Sequence, residues 1–157
     1  MEIIKTLIQA KPEYLDIEMR TDKQILDEII NLADQNNVKL IFSYHDFEKT
    51  PSFEQCLKII QEASTKIKNI ENVIIKIILT AQTFEDNFVP LKLCKELTQK
   101  NQQIICFCMG EEGIFSRISS VNFGSSFTYA SVAESTAPGQ INIESIRKII
   151  DLLFSGK

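Results

Sequence analysis

The apolar positions of this chain follow two alternating rhythms. Three short, nearly unbroken apolar runs, 39–44 (KLIFSY), 73–79 (VIIKIIL) and 103–109 (QIICFCM), have the length and branched content of strands buried on both faces. Two weaker runs flank them, 14–19 (YLDIEM) and 123–130 (FGSSFTYA). Between the runs, apolar residues recur at helical spacing. Residues 22–35 place Ile25, Leu26, Ile29, Ile30 and Ala33 on one face, with Thr21 and Gln24 spaced for a capping box. Thr50-Pro51 opens a helix over 52–66 that carries Cys56, Ile59, Ile60 and Ala63 on one side, the proline standing where a missing N–H costs nothing. Helices are also predicted over 88–100 and, behind Asn142, over 143–154, and residues 2–11 read as part of another.

Strand and helix thus alternate at a spacing of about 30 residues, the βαβ signature of a parallel sheet. No linker or low-complexity stretch divides the chain, so 1–157 reads as a single α/β domain. Such a sheet is either open and doubly wound or part of a (β/α) barrel, and the order of elements leaves both open.

Composition narrows the function classes. With 44% hydrophobic and 24% charged residues, the chain has enough apolar surface for a sizeable core. The net charge is -4 and basic residues are scattered among acidic ones, so no footprint for a nucleic-acid backbone is expected. No basic start leads into a long apolar run, and no stretch of about 18 uninterrupted apolar residues occurs, so a cytoplasmic location without membrane contact is expected. Cys56, Cys94, Cys106 and Cys108 form no CxxC pair, and His45 is the single histidine; the cysteines read as small buried hydrophobes in a reducing compartment, and no metal site is expected.

Polar residues inside the apolar runs carry the candidate chemistry. Lys76 has three apolar residues on each side. Burial disfavours an ammonium, so a lysine there either snorkels at a sheet edge or serves as a nucleophilic amine of the Schiff-base type. His45 ends the run LIFSY, at the carboxyl edge of a parallel strand where ligands bind in barrels and doubly wound sheets alike. A half-buried structural histidine is the other reading. Glu18 ends LDIE on the preceding strand, where strand neighbours bring a carboxylate to that imidazole. The segment 110–117 (GEEGIFSR) has two glycines and a short helical turn ending in Arg117, which is either a surface residue or a bidentate clamp for a carboxylate; the segment lacks the Lys-Ser/Thr of a phosphate-binding loop. The loop 135–140 (STAPGQ) is a turn by composition.

LDIE at 15–18, SYHDF at 43–47 followed by Thr50-Pro51, Lys76 within a strand, EGIFSR at 112–117, FGS at 123–125 and APGQI at 137–141 together resemble, in order and spacing, the type I 3-dehydroquinate dehydratases. The resemblance implies a (β/α)8 TIM barrel whose last five strands match the five here, so the chain is expected to be a partial barrel of about five parallel βα units, lacking the first three strands. It implies a lyase of the shikimate pathway to aromatic amino acids, converting 3-dehydroquinate to 3-dehydroshikimate and water with no metal or organic cofactor. Lys76 would form an imine with the C3 ketone. His45 would take the C2 proton and then protonate the departing C1 hydroxyl, with Glu18 orienting it. Arg117 would hold the substrate carboxylate, Gln140 and the Thr136 hydroxyl would bind ring hydroxyls, and Met109 and Tyr129 would line the substrate pocket.

Some positions depart from the family's pattern. Tyr44 replaces an asparagine, Phe107 one of two pocket methionines and Thr136 a serine, while Glu111 adds a negative charge beside Glu112 near the pocket. An unclosed five-stranded array exposes two strand edges and apolar surface, so a homo-oligomer such as a dimer, or a complementing chain that supplies the missing strands, is expected. Two other readings stand beside this one: a different Schiff-base barrel of the aldolase type, and a catalytically silent truncated barrel that acts only through a partner.

Overall fold

A computed structural model describes residues 2–67, 73–132 and 139–154. Four strands, β1 (Tyr14–Glu18), β2 (Lys39–His45), β3 (Ile74–Thr80) and β4 (Ile104–Met109), pair in parallel in their chain order. The helices are α1 (Glu2–Gln9), α2 (Lys23–Gln35), α3 (Phe53–Ile67), α4 (Phe88–Gln99), α5 (Ile114–Ser119) and α6 (Ile143–Phe154). Register places Asp16, Ile41 and Ile74 in one transverse row, Glu18, Ser43, Lys76 and Ile105 in the next, and His45, Ile78 and Phe107 above them.

Side-chain alternation divides the sheet into two faces. Leu15, Ile17, Leu40, Phe42, Ile75, Ile77, Leu79, Cys106 and Cys108 join Leu26, Ile29, Ala33, Cys56, Ile60, Ala63, Leu93, Cys94 and Leu97 of α2, α3 and α4 in one core. Ile41, Ile74, Ile78, Ile105, Phe107 and Met109 form a second cluster on the opposite face, where Tyr14 and Tyr129 pack against it and Arg117 of the short α5 reaches Phe107. A doubly wound sheet reverses its strand order and carries helices on both faces. Here each strand adds on the same side and the helices form one layer, which is how the wall of a (β/α) barrel is wound. The second cluster therefore lines the inner face of a partial barrel.

The expected fifth strand is not formed. Residues 123–130 touch the sheet through an isolated bridge between Ile104 and Ser125, and a second bridge joins Ser131 to Asn142. Gly124, at φ +108, turns the chain out of an extended path. The amide of Ser126 then donates to the Ile104 carbonyl at 2.7 Å, but the Ser125 hydroxyl accepts from the Cys106 amide at 3.4 Å and donates to the Phe127 carbonyl at 2.8 Å. A side chain here occupies groups that a strand ladder would have used.

The helix starts are set by acceptor side chains. The expected capping pair of Thr21 and Gln24 is replaced by Asp22, whose carboxylate accepts from the Gln24 amide at 2.9 Å and the Ile25 amide at 3.4 Å. Before α3 the capping box is Ser52 with Gln55: each side chain accepts the other's backbone N–H, at 3.3 and 2.9 Å. Pro51 thus lies just outside the helix. Asn142 caps α6 by accepting from the Ser145 amide at 2.8 Å.

All four cysteines are buried and free. Burial pushes the Cys56 thiol up to about 12 and raises Cys106 and Cys108 as well. No described helix is long and apolar enough to cross a membrane.

Candidate active site

Lys76 occupies the centre of β3, on the same face as Ile74 and Ile78. Because β3 is flanked by β2 and β4, the lysine is not at a sheet edge, and its side chain is 13% exposed. The ammonium lies 2.7 Å from Asp16 Oδ2 and 5.0 Å from the centre of the Tyr129 ring. A carboxylate and the negative face of an aromatic ring thus offset much of the cost of placing a cation on an apolar face. Sequence reading passed over Asp16. Its position as the inward residue of LDIE was the available signal, but its partner lies 60 residues further on, across an intervening strand.

His45 is the last residue of β2, one row nearer the carboxyl edge than Lys76. Its Nδ1 is paired with Oε1 of Glu18, so the neighbouring strands do join this carboxylate and imidazole. The other side of the ring stacks on Phe47, with centroids 5.7 Å apart. Asp46 faces away from this chemistry: its carboxylate accepts from the Glu48 and Lys49 amides, both at 3.0 Å, and forms the turn after β2.

Arg117 is 2% exposed, so the structure removes the surface reading. Its guanidinium carbon stands 4.6 Å from the centre of the Phe107 ring. Desolvation by burial pulls its pKa below the usual arginine value. The short helix α5 holds it in place through Asn87, which is fully buried. Asn87 Oδ1 accepts from the Ser116 amide at 2.8 Å, and its Nδ2 donates to the carbonyls of Glu112 at 2.6 Å and Phe84 at 2.8 Å. Ser116 Oγ accepts from the Cys108 amide at 3.0 Å, which ties α5 to β4. Gly113 permits the close approach, since a Cβ there would lie 2.4 Å from the Met109 carbonyl oxygen.

Met109 closes the inner cluster at the end of β4. Tyr129 lies 6.1 Å from Phe107, and its phenol is raised chiefly by burial and secondarily by the charge of Asp16. Gly139 takes φ +70 and packs so closely on Gly110 that a Cβ would meet its carbonyl oxygen at 2.1 Å. This contact brings the partly buried Gln140 to the carboxyl end of β4. Thr136 lies outside the described residues. Of the departures from the family pattern, Tyr44 faces the helix layer beneath Arg20, Glu111 is exposed, and Phe107 lies in the inner cluster beneath Arg117. Among the described residues no cluster of three or more His, Cys, Asp or Glu side chains is arranged to hold a metal ion.

Fold and site together define an α/β barrel protein that turns a charge-paired lysine and a carboxylate-held imidazole toward its interior. The sequence profile described as type I 3-dehydroquinase matches residues 1–157. The chain belongs to this family. It is 33% identical over 153 residues to the 3-dehydroquinate dehydratase of Thermococcus gammatolerans, a match covering 98% of this chain and 67% of that protein. The crystal structure of 3-dehydroquinate dehydratase from Geobacillus kaustophilus superposes with a TM-score of 0.86 at 26% identity, covering 98% of this chain and 59% of that one. The type I 3-dehydroquinate dehydratase of Clostridium difficile, solved with covalently modified comenic acid, gives 0.83 at 27% identity, covering 99% and 61%. The chain thus spans about three fifths to two thirds of the length of these relatives.

Proposed function

We propose that this chain carries the reacting groups for dehydration of 3-dehydroquinate to 3-dehydroshikimate, with Lys76 as the nucleophile. The observation that carries the reading is the shared inner face of β1, β2 and β3, on which the Lys76 amine lies one row below an imidazole held by Glu18. In this reading Nζ adds to the C3 carbonyl, and the carbinolamine loses water to give a protonated imine. His45 takes the C2 proton, and the electron pair of that C–H bond moves into the iminium, giving an enamine. The enamine expels the C1 hydroxyl, which His45 protonates to water, leaving a conjugated imine. Hydrolysis of that imine consumes the water first released and returns Lys76, so one molecule of water is the net loss. Arg117 pairs with the substrate carboxylate. Met109, Tyr129 and Gln140 shape the pocket at the end of β4, and the Thr136 hydroxyl is assigned, from the family resemblance alone, to a ring hydroxyl of the substrate.

The covalently modified comenic acid named for the Clostridium difficile relative is in keeping with covalent chemistry at such a site. Four free thiols accord with a reducing cytoplasm. Strand β1 pairs on one side, with β2, so a second copy or a complementing chain is the proposed cover for its other edge. The test is borohydride reduction in the presence of 3-dehydroquinate, followed by mass analysis. A substrate-derived mass increase on the peptide containing Lys76 is expected. An unmodified peptide, from protein shown to be folded, sinks the reading.

A further inference from the structure

We propose that Asp16 is a positioning residue for Lys76, fixing where its amine points. The proposal rests on Lys76 being the amine nucleophile, and it adds a group that the sequence did not bring into the site.

Geometry makes the pairing specific. Strands lie about 4.8 Å apart, so β1 and β3 are separated by roughly 10 Å across β2. The carboxylate is also one row nearer the amino end than Lys76. The lysine must therefore lean back over Ile41 and Ser43 to bring Nζ within 2.7 Å of Asp16 Oδ2. Across the strands, Asp16 shares its row with Ile41 and Ile74, both buried and apolar. Asp16 itself keeps 37% of its side chain exposed, so the carboxylate stays hydrated while it reaches the less exposed amine. The lysine of this pair is also less exposed, at 13%, than the lysines of the surface pairs Lys5–Glu28 and Lys39–Glu13, at 46% and 44%. Tyr129 closes the amine from another direction, 5.0 Å away, so the amine is held between a charge and a ring.

The consequence is electrostatic. Once the imine has formed, an adjacent carboxylate favours its protonated form in the same place. Asp16 is therefore placed to stabilise the electron sink that follows. Among the described residues, the other ionisable groups on this side of the sheet are Tyr14 and Glu18 from β1, His45 from β2, and Tyr129 and Arg117 from the segments after β4. On this face β4 itself contributes Ile105, Phe107 and Met109.

Competitive labelling with acetic anhydride from pH 6 to 10 tests this, reading the Lys76 peptide against the exposed Lys92 in the unaltered chain and in Asp16→Asn and Asp16→Glu. With asparagine, labelling of Lys76 relative to Lys92 is expected to rise about tenfold near neutrality as the amine loses its ionic partner, and glutamate is expected to restore most of the original profile. A merely structural role would not be rescued by the longer carboxylate. Superimposable profiles in all three proteins overturn the proposal. If the asparagine variant does not fold, Asp16→Ser gives the same comparison. Borohydride trapping with 3-dehydroquinate, run on the unaltered chain in parallel, separates the two claims: its failure removes the dehydratase reading, while the labelling profiles still decide Asp16.

Discussion

Asp16 and Glu18 stand two residues apart on one face of β1, and each anchors a different group of the candidate site. Asp16 holds the Lys76 ammonium at 2.7 Å, and Glu18 holds the His45 imidazole. In both cases the carboxylate sits one row nearer the amino end of the sheet than the residue it holds. One edge strand thus fixes both the amine and the imidazole, so a register slip of β1 by a single residue would remove both carboxylates from the site together.

Imidazole and carboxylate should act as a unit. His45→Ala is expected to lower kcat by about 10²- to 10⁴-fold, the range of general acid–base catalysis, while the borohydride adduct on Lys76 persists. Glu18→Gln should lose less. The double variant should be no slower than His45→Ala alone, because an orienting carboxylate has nothing left to orient. Steady-state rates for the three variants check this, and multiplicative losses would separate the two residues.

Asn87 should be worth far more than an ordinary polar side chain. Asn87→Ala leaves the Ser116 amide and the Glu112 and Phe84 carbonyls without their shared partner in a buried place. A loss of about 3 kcal/mol in urea unfolding is expected. Since α5 carries Arg117, KM for an anionic substrate should rise along with it.

Gly139→Ala meets two obstacles, a positive φ and a carbonyl oxygen 2.1 Å from the new Cβ. Strain of about 1–3 kcal/mol is expected, relieved by separation of this loop from Gly110. Faster hydrogen exchange at the Gln140 amide and a raised KM would show it, with a smaller shift of the urea midpoint than Asn87→Ala gives.

Alkali should weaken the fold through its buried thiols. Burial raises the Cys56 thiol from 9.0 to about 12 and moves Cys106 and Cys108 in the same direction. A thiol whose folded-state pKa is raised contributes stability that is fully present below its unfolded value and is lost as pH climbs toward the folded one. Stability should therefore be flat up to about pH 8.5 and fall above it, by about 1.4 kcal/mol per pH unit for each of these three thiols. Urea unfolding at pH 8, 9.5 and 10.5 reads the slope, and replacing Cys56 with alanine should make it shallower by one thiol's share.

What the sequence reveals depends on whether a signal is local. Lys76 is conspicuous because it interrupts seven residues that are otherwise apolar, and His45 because it ends such a run. Asp16 is inconspicuous: in YLDIE it is simply the polar member of an alternating strand, and its meaning arises from register across β2. The segment 123–130 misleads for the opposite reason. Phe123, Phe127 and Tyr129 look like strand residues, but the Ser125 hydroxyl takes the place of backbone partners, and Tyr129 serves the inner face from a loop, with Phe127 set edge-on against Tyr14. The order of elements is equally silent on an open against a barrel-like sheet, which only the motifs and the side of the sheet that α2, α3 and α4 cover distinguish.

That one-sided arrangement also makes the molecule amenable to redesign. Alternate strand positions answer to different constraints: Leu15, Ile17, Phe42, Ile75 and Ile77 support the framework, while Asp16, Glu18, Ser43, His45 and Lys76 face the cavity and, in the pairs Asp16–Lys76 and Glu18–His45, one another. A combinatorial library confined to the second set would sample new catalytic repertoires on a chassis whose architecture it leaves intact.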